Sequence, residues 1–344
     1  MSALRVFPAL LLFACGAPMA APSGPCDADC AEPADASPID ASVPDAATDP
    51  FAATVLPAAQ GAHFVLAFGR TRFEVDPSAA GRVVDFSLDG ASVLVTTGAN
   101  VGSVFWPAPQ SAWPGTWPPP PELDSAPWTG GIDGHAIVLD GPAASSAFHE
   151  LRASKRFTAN AEHQVVTLAY TLHNDGATAV SVAPWEVTRV HPGGLTFFPD
   201  SGAPLVAFPD PAIPFTRAAN ALWFDDRDAA IPANRKSGAD PTEGWAAHVD
   251  CHSTLERTCT GPSLILIKSF DDVAPAAFAP GEAEAELYAD GAHAYVEFET
   301  QGAYATIAPG ASRTWVVHWY LRELPALTTL VGNPALLDFV RGEL

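Results

Sequence analysis

The chain has 344 residues, 48% of them hydrophobic, and its 39 Asp and Glu against 17 Lys and Arg give a formal charge of −22. That charge argues against a nucleic-acid partner, because phosphate contacts need clustered Lys and Arg. The 34 prolines argue against a helical bundle, since proline removes a donor and clashes inside helices, and an aromatic content of 10% excludes wholesale disorder.

Residues 1–15 read as an export signal, with Arg5 as its positive start and residues 6–13 as a short apolar run. A membrane span takes about 20 apolar residues, so this run is too short to be one. Leu12, Phe13, Ala14, Cys15 and Gly16 resemble a bacterial lipobox. A cut before Cys15 makes that residue the lipidated anchor of an exported protein of the bacterial cell envelope. The alternative is an ordinary signal cut after Ala20 or Ala21.

Residues 16–55 form a tether. Seven acids lie between Asp27 and Asp49 with no Lys or Arg, and the rest is mostly Ala, Pro and Ser. Such a segment has no apolar face to bury and stays extended. The five cysteines fit an exported chain. Cys251 and Cys259 flank a short polar loop and are the expected disulfide of an oxidising compartment. Cys26 and Cys30 either pair locally or stay free. The spacings among these four do not suit zinc, and no metal or cofactor is expected.

From residue 62 the sequence alternates in strand fashion, with turn residues between runs. Val166, Leu168, Tyr170 and Leu172 share one face and Thr167 and Thr171 the other. Asn174, Asp175 and Gly176 follow, before Val180 and Val182, and read as a hairpin. Further strands are expected over residues 263–270, 283–287, 294–298 and 313–321. Only the tail looks helical, with Asn333 as cap and Pro334 in the first position. Residues 56–344 are therefore expected to be one all-β domain, a large antiparallel β-sandwich with a short C-terminal helix. The chain gives no sign of an oligomer, and a monomer is expected.

Two stretches read as irregular, residues 100–128 and 207–260, and function concentrates in such loops. The first holds Trp106, Gln110, Trp113, Trp117 and Trp128 among prolines; the second holds Trp223, Lys236 and Trp245. Aromatic rings at this density suit the flat C–H faces of sugars, or they order the loop as its own small core. The segment Tyr295, Val296, Glu297, Phe298, Glu299, Thr300, Gln301 alternates. Val296 and Phe298 face the core, while Tyr295, Glu297, Glu299 and Gln301 share a face that is either wet or a site. Two histidines at His248 and His252 sit beside the expected disulfide and are not read as metal ligands.

Phe298, Glu299, Thr300 and Gln301, followed by Pro309, Gly310 and a last strand, resemble the Leu-Glu-Thr-Gln segment of aldose 1-epimerases. Gly102, Ser103, Val104, Phe105, Trp106 and Pro107 resemble a segment of hexose-6-phosphate 1-epimerases. Together these are similar to the galactose mutarotase-like superfamily, in the order of elements over residues 62–322. The resemblance implies the family's large sandwich, a sugar or sugar-containing glycan as partner, and Glu299 as the base that takes the anomeric proton. His191 is the first candidate for the acid, and Glu186, protonated by burial, is the second. Trp106, Gln110, Trp113, Trp185, Glu186, Arg189, Lys268 and Glu297 are the candidate substrate contacts. The chain departs from the family by lacking its early Asn-Arg pair and its Asn-His pair. Three functions follow: an aldose 1-epimerase-like isomerase, a carbohydrate-binding lipoprotein that kept the cleft without the chemistry, or a purely structural envelope protein.

Overall fold

The computed structural model describes residues 49–98, 100–115, 119–144, 150–208, 213–227, 234–251, 263–325 and 331–344. The export signal, Cys15, Cys26, Cys30, Trp117, His252 and Cys259 lie outside the described residues. Among the described residues, two antiparallel sheets of 12 and 10 strands make a sandwich. The centre of the first sheet runs Arg82–Leu88, Ser103–Ala108, Val180–Val190, Val296–Gln301, Ala285–Ala289, Arg235–Ala239. The centre of the second runs Leu195–Pro199, Trp245–Asp250, Ser263–Phe270, Ser312–Leu324, Val165–Asn174, Leu151–Asn160.

The period of two read from residues 166–172 is the one the fold uses. Val166, Leu168, Tyr170 and Leu172 are buried between the sheets, where Phe73, Phe86, Phe157 and Trp319 pack edge to face or tilted. The turn that follows is not a hairpin. Val165–Asn174 pairs with Leu151–Asn160 and Ser312–Leu324, whereas Val180–Val190 belongs to the other sheet. Asn174 makes this corner: its buried side-chain amide donates to the carbonyls of Thr178 and Ile307, and its Oδ1 accepts from the Gly176 amide. Both strands have an apolar face to bury, and a corner lets each bury it in its own sheet.

The described parts of residues 207–260 are also more regular than their sequence suggests. Thr216–Ala218, Ala221–Asp225, Arg235–Ala239 and Trp245–Asp250 are strands. Ala221–Asp225 and Trp245–Asp250 lack alternation because both faces are covered. The C-terminal helix Pro334–Glu343 lays Leu336, Leu337 and Val340 against a cluster with Trp223, Trp245, Val249, Ile265 and Ile267. Asn333 caps this helix, its Oδ1 accepting from the Ala335 amide at 3.1 Å. Cys251, just after Trp245–Asp250, is disulfide-bonded. At the other end, residues 51–55 dock on the body rather than joining the tether. Phe51 stacks on His318 with centroids 3.6 Å apart, Val55 is buried, and the Thr54 and Val55 amides donate to the Ala159 carbonyl.

Between the sheets lies a buried ion pair. Lys268 reaches from Ser263–Phe270 to Glu186 on Val180–Val190, with Nζ 2.7 Å from Oε1. The ammonium also donates to Thr188 Oγ1 at 2.8 Å and the Phe298 carbonyl at 3.0 Å. Glu186 is completed by Tyr170 Oη at 2.7 Å and Trp319 Nε1 at 3.1 Å. Burial pushes the Lys268 pKa below its ordinary value, against the opposing pull of Glu186. Removing one partner strands the other charge, so Lys268→Ala is expected to cost about 3–5 kcal/mol, read as a lower urea midpoint. The double variant Lys268→Met with Glu186→Leu is expected to recover most of that loss, since a packed apolar pair replaces a buried ion pair with little change.

Candidate functional site

The outer face of the first sheet carries the other half of the same pleat. Successive strand residues point to opposite faces, so with Glu186 and Thr188 turned inward, Trp185, Val187 and Arg189 turn outward. Register extends this face sideways. Trp185 pairs with Trp106 on one side and Gln301 on the other. Glu299 pairs with Glu286, Glu297 with Tyr288, and Tyr288 with Lys236. These side chains surround a cleft of about 420 Å³ whose walls include Trp106, Gln110, Trp185, Lys236, Tyr288, Tyr295 and Glu297.

Glu299 lies beneath this cleft with 0% exposure. Its Oε2 accepts from Trp185 Nε1 and from Lys236 Nζ, each at 2.8 Å. The same ammonium sits 2.7 Å from Glu286 Oε2 and 4.4 Å from the Trp185 ring centroid. Two buried carboxylates thus share one cation. Burial pushes the Glu299 carboxyl up to about 8, and Glu286 and Glu297 add to this while Lys236 opposes it. Glu286 is also raised, first by burial. Burial disfavours the charge on Lys236, but the two carboxylates outweigh it and hold the ammonium protonated well beyond the usual lysine range. A second pair closes the opposite wall. Arg189 donates to Glu297 Oε1 through Nε at 3.0 Å, with a second guanidinium nitrogen at 2.9 Å. Its guanidinium lies 5.4 Å from the Trp106 centroid and 6.0 Å from that of Tyr295. Asn100 Nδ2 donates to the Tyr295 hydroxyl at 2.9 Å.

Trp106, Gln110, Trp185 and Glu297 therefore meet at the cleft, with Glu299 under it and Arg189 between Glu297 and Trp106. Trp113 supports from behind: it packs 5.6 Å from Trp106 and 5.8 Å from Trp185, and its Nε1 donates to the Pro107 carbonyl. Glu186 and Lys268 are on the interior face, where a ligand in the cleft does not reach them. Glu186 adjoins Trp185 in sequence, and the pleat sends neighbours to opposite faces. His191 is not part of the cleft lining. Its Nδ1 is 2.9 Å from Asp250 Oδ2, just beyond the end of Val180–Val190.

Lys236 and Tyr288 are contributors that the sequence reading did not select. The alternation of Glu286 and Tyr288 mirrors that of Glu297 and Glu299 and was the available signal. Lys236 stood within a stretch read as loop. Among the described residues, one group of acids has its oxygens close enough to share an ion: Asp240, Asp272 and Glu284, none of which lines the cleft.

As the side chains stand, Lys236 and Trp185 both bond Oε2 of the carboxyl that would act as a base, its Oε1 is buried without a hydrogen-bond partner among the described residues, and no histidine is among the cleft-lining residues. The surface offered to a ligand is aromatic faces, amides, tyrosine hydroxyls and the Glu297 carboxylate.

No protein-family model matches the chain, and no curated protein does. Solved structures do share its fold. A provisionally assigned aldose 1-epimerase from Klebsiella pneumoniae superposes with a TM-score of 0.51 at 10% identity, covering 83% of this chain and 85% of that one. A galactose mutarotase-like protein from Lactobacillus casei gives 0.50 at 12% identity, covering 76% and 100%. A TPR-domain containing protein from Parabacteroides distasonis gives 0.51 at 12% identity over 77% of this chain, which spans about half (49%) of that protein. The fold is the galactose mutarotase-like β-sandwich.

The state of Glu299 sets a pH dependence. Folding lifts its pKa from the ordinary 4.5 to about 8, so between these values the native protein holds a proton that the unfolded chain has released. Stability is expected to fall as pH rises from about 5 to about 8, and Glu299→Gln is expected to flatten that slope. Urea midpoints of both proteins across this range are the measurement.

Proposed function

We propose that this protein binds a neutral carbohydrate in the cleft of its first sheet and does not catalyse anomer exchange. The observation that carries this reading is the burial of Glu299 beneath Lys236 and Trp185. A base must come within hydrogen-bond reach of the proton it removes, and here Oε2 is taken by an ammonium and an indole while Oε1 is buried out of reach of the cleft. The charge balance argues for a neutral ligand. Lys236 lies between the carboxyl groups of Glu286 and Glu299, the latter holding its proton below about pH 8, and Arg189 is matched by Glu297, so an anionic sugar gains little from either cation and meets the Glu297 carboxylate. Tyrosine faces and the amides of Gln110 and Asn234 suit sugar C–H faces and hydroxyls. With the export signal and Cys15 expected at the front of the chain, the binding site belongs at the bacterial cell envelope, held there by a lipid anchor.

A second reading, an aldose 1-epimerase-like isomerase, is favoured by one observation. The Glu299 pKa of about 8 is near that of a working base, and the reading requires Lys236 to swing aside when sugar enters. Saturation-transfer and exchange NMR on the purified protein with a panel of neutral aldoses and uronic acids separates the two. Binding predicts line broadening for neutral sugars with anomer exchange at the uncatalysed rate. Tyr295→Ala is expected to weaken that binding about tenfold, the worth of one lost contact of about 1.4 kcal/mol. Exchange above the uncatalysed rate that disappears in Glu299→Gln establishes the isomerase instead.

A further inference from the structure

Away from the cleft, three carboxylates gather where both sheets end. Asp240 follows Arg235–Ala239, and Glu284 precedes Ala285–Ala289, its partner in the first sheet. Asp272 follows Ser263–Phe270 in the second sheet. One oxygen from each lies within 4.8 Å of the others. Two oxygens on opposite sides of a calcium ion, each at about 2.4 Å, are separated by about that distance.

Acidic groups crowd together on many surfaces without an ion, but Glu284 is not on the surface. It is 1% exposed. Its Oε1 accepts from the Val273 amide at 2.7 Å, which fixes the carboxyl, and its Oε2 has no hydrogen-bond partner among the described residues. A buried carboxylate oxygen left without a donor is costly. Around it stand Asp272 and Asp240, both of its own sign, and the Ser201 hydroxyl bonds Asp240. Burial, like charge and an orphaned oxygen together make a cluster that a cation would complete.

We infer that Asp240, Asp272 and Glu284 bind a divalent cation, calcium by its chemistry, that ties the ends of the two sheets together. The donors are all oxygens, which selects a hard cation. They come from three separate segments, and Asp272 is exposed, which leaves coordination positions for water. Calcium tolerates such an irregular shell, whereas magnesium demands a near-ideal octahedron at 2.0–2.1 Å. The inference departs from the sequence reading, which expected no metal: the three acids are 32 and 12 residues apart and form no motif. It is independent of what the cleft binds.

The test is thermal unfolding and calorimetric titration of the full protein after chelation, with calcium chloride or magnesium chloride added. Millimolar calcium is expected to raise the Tm by about 5 °C over the chelated protein, and magnesium by less. Asp272→Asn, a change at an exposed side chain, is expected to lose at least tenfold in calcium affinity. Glu284→Gln is expected to be as stable as wild type without calcium and less stable with it. A purely structural carboxyl would instead lower stability equally in both conditions. Absence of calcium binding and of any Tm shift in the wild type overturns the proposal. So does an equal calcium response in Asp272→Asn, and a magnesium response as large as that to calcium overturns the choice of ion.

Discussion

Lys268 stands with its ammonium in the apolar interior, and the geometry of the first sheet is set against it. One charged nitrogen, 2.7 Å from Glu186 Oε1 and bonded to Thr188 and to the Phe298 carbonyl, engages two adjacent strands from behind. A buried ammonium has few ways to be solvated, and this one uses all three contacts plus the faces of Phe298 and Trp319, at 4.5 and 5.3 Å. Shifting Val180–Val190 by one residue would point Glu186 away from Lys268 and break the pair. The polar network therefore acts as a register lock. Because the side-chain period is two, fixing Glu186 and Thr188 inward also fixes Trp185, Val187 and Arg189 outward. The cleft wall is the other side of that decision.

On the outer side a different arithmetic of charge applies. Glu286, Glu297 and Glu299 lie close together, with Lys236 and Arg189 as the cations that stand among them. Each cation also lies over an aromatic ring, Lys236 over Trp185 and Arg189 over Trp106. Those ring faces are then partly occupied by the protein itself, and Tyr288 and Tyr295, tilted against each other at 6.2 Å, complete the aromatic lining. An acid stands where the epimerase resemblance places a base, and its surroundings hold its proton well above the ordinary carboxylate range.

The parts of this site that were legible from sequence are those written in local alternation. Tyr295 to Gln301 showed which residues face inward, and the structure places Val296 and Phe298 in the core with Glu297 and Glu299 opposite. The same rule applied to Trp185, Glu186 and Arg189 would have removed Glu186 from the substrate list, since it cannot share a face with Trp185. His191 was chosen for its nearness in sequence to that strand, but it lies past the strand end and faces Asp250. Lys236 was beyond local reading altogether. It comes to Glu299 across the strand Ala285–Ala289, from a segment 63 residues away, and nothing local marks which distant strand will be a neighbour. The corner at Asn174 misled for a related reason: a turn sequence specifies that the chain reverses, not which sheet receives it.

The segment Glu282, Ala283, Glu284, Ala285, Glu286 shows how a single pattern is resolved three ways. All three acids are at least nine-tenths buried, which the intervening alanines permit by letting the backbone pack closely. Glu282 is satisfied by neutral donors, the Gln110 amide at 2.6 Å and Gln301 Nε2 at 2.8 Å. Glu286 has the Ala283 amide and the Lys236 ammonium. Glu284 has one amide and two further acids. The chain supplies neutral donors to the first and an amide and an ammonium to the second, whereas among the described residues the second oxygen of Glu284 has neither. If an ion fills that position, it holds the two strands that bear Lys236 and Glu286 at the end nearest the second sheet. The cleft's charge pairs would then be braced twice, from the interior by Lys268 and from the sheet edge by the ion.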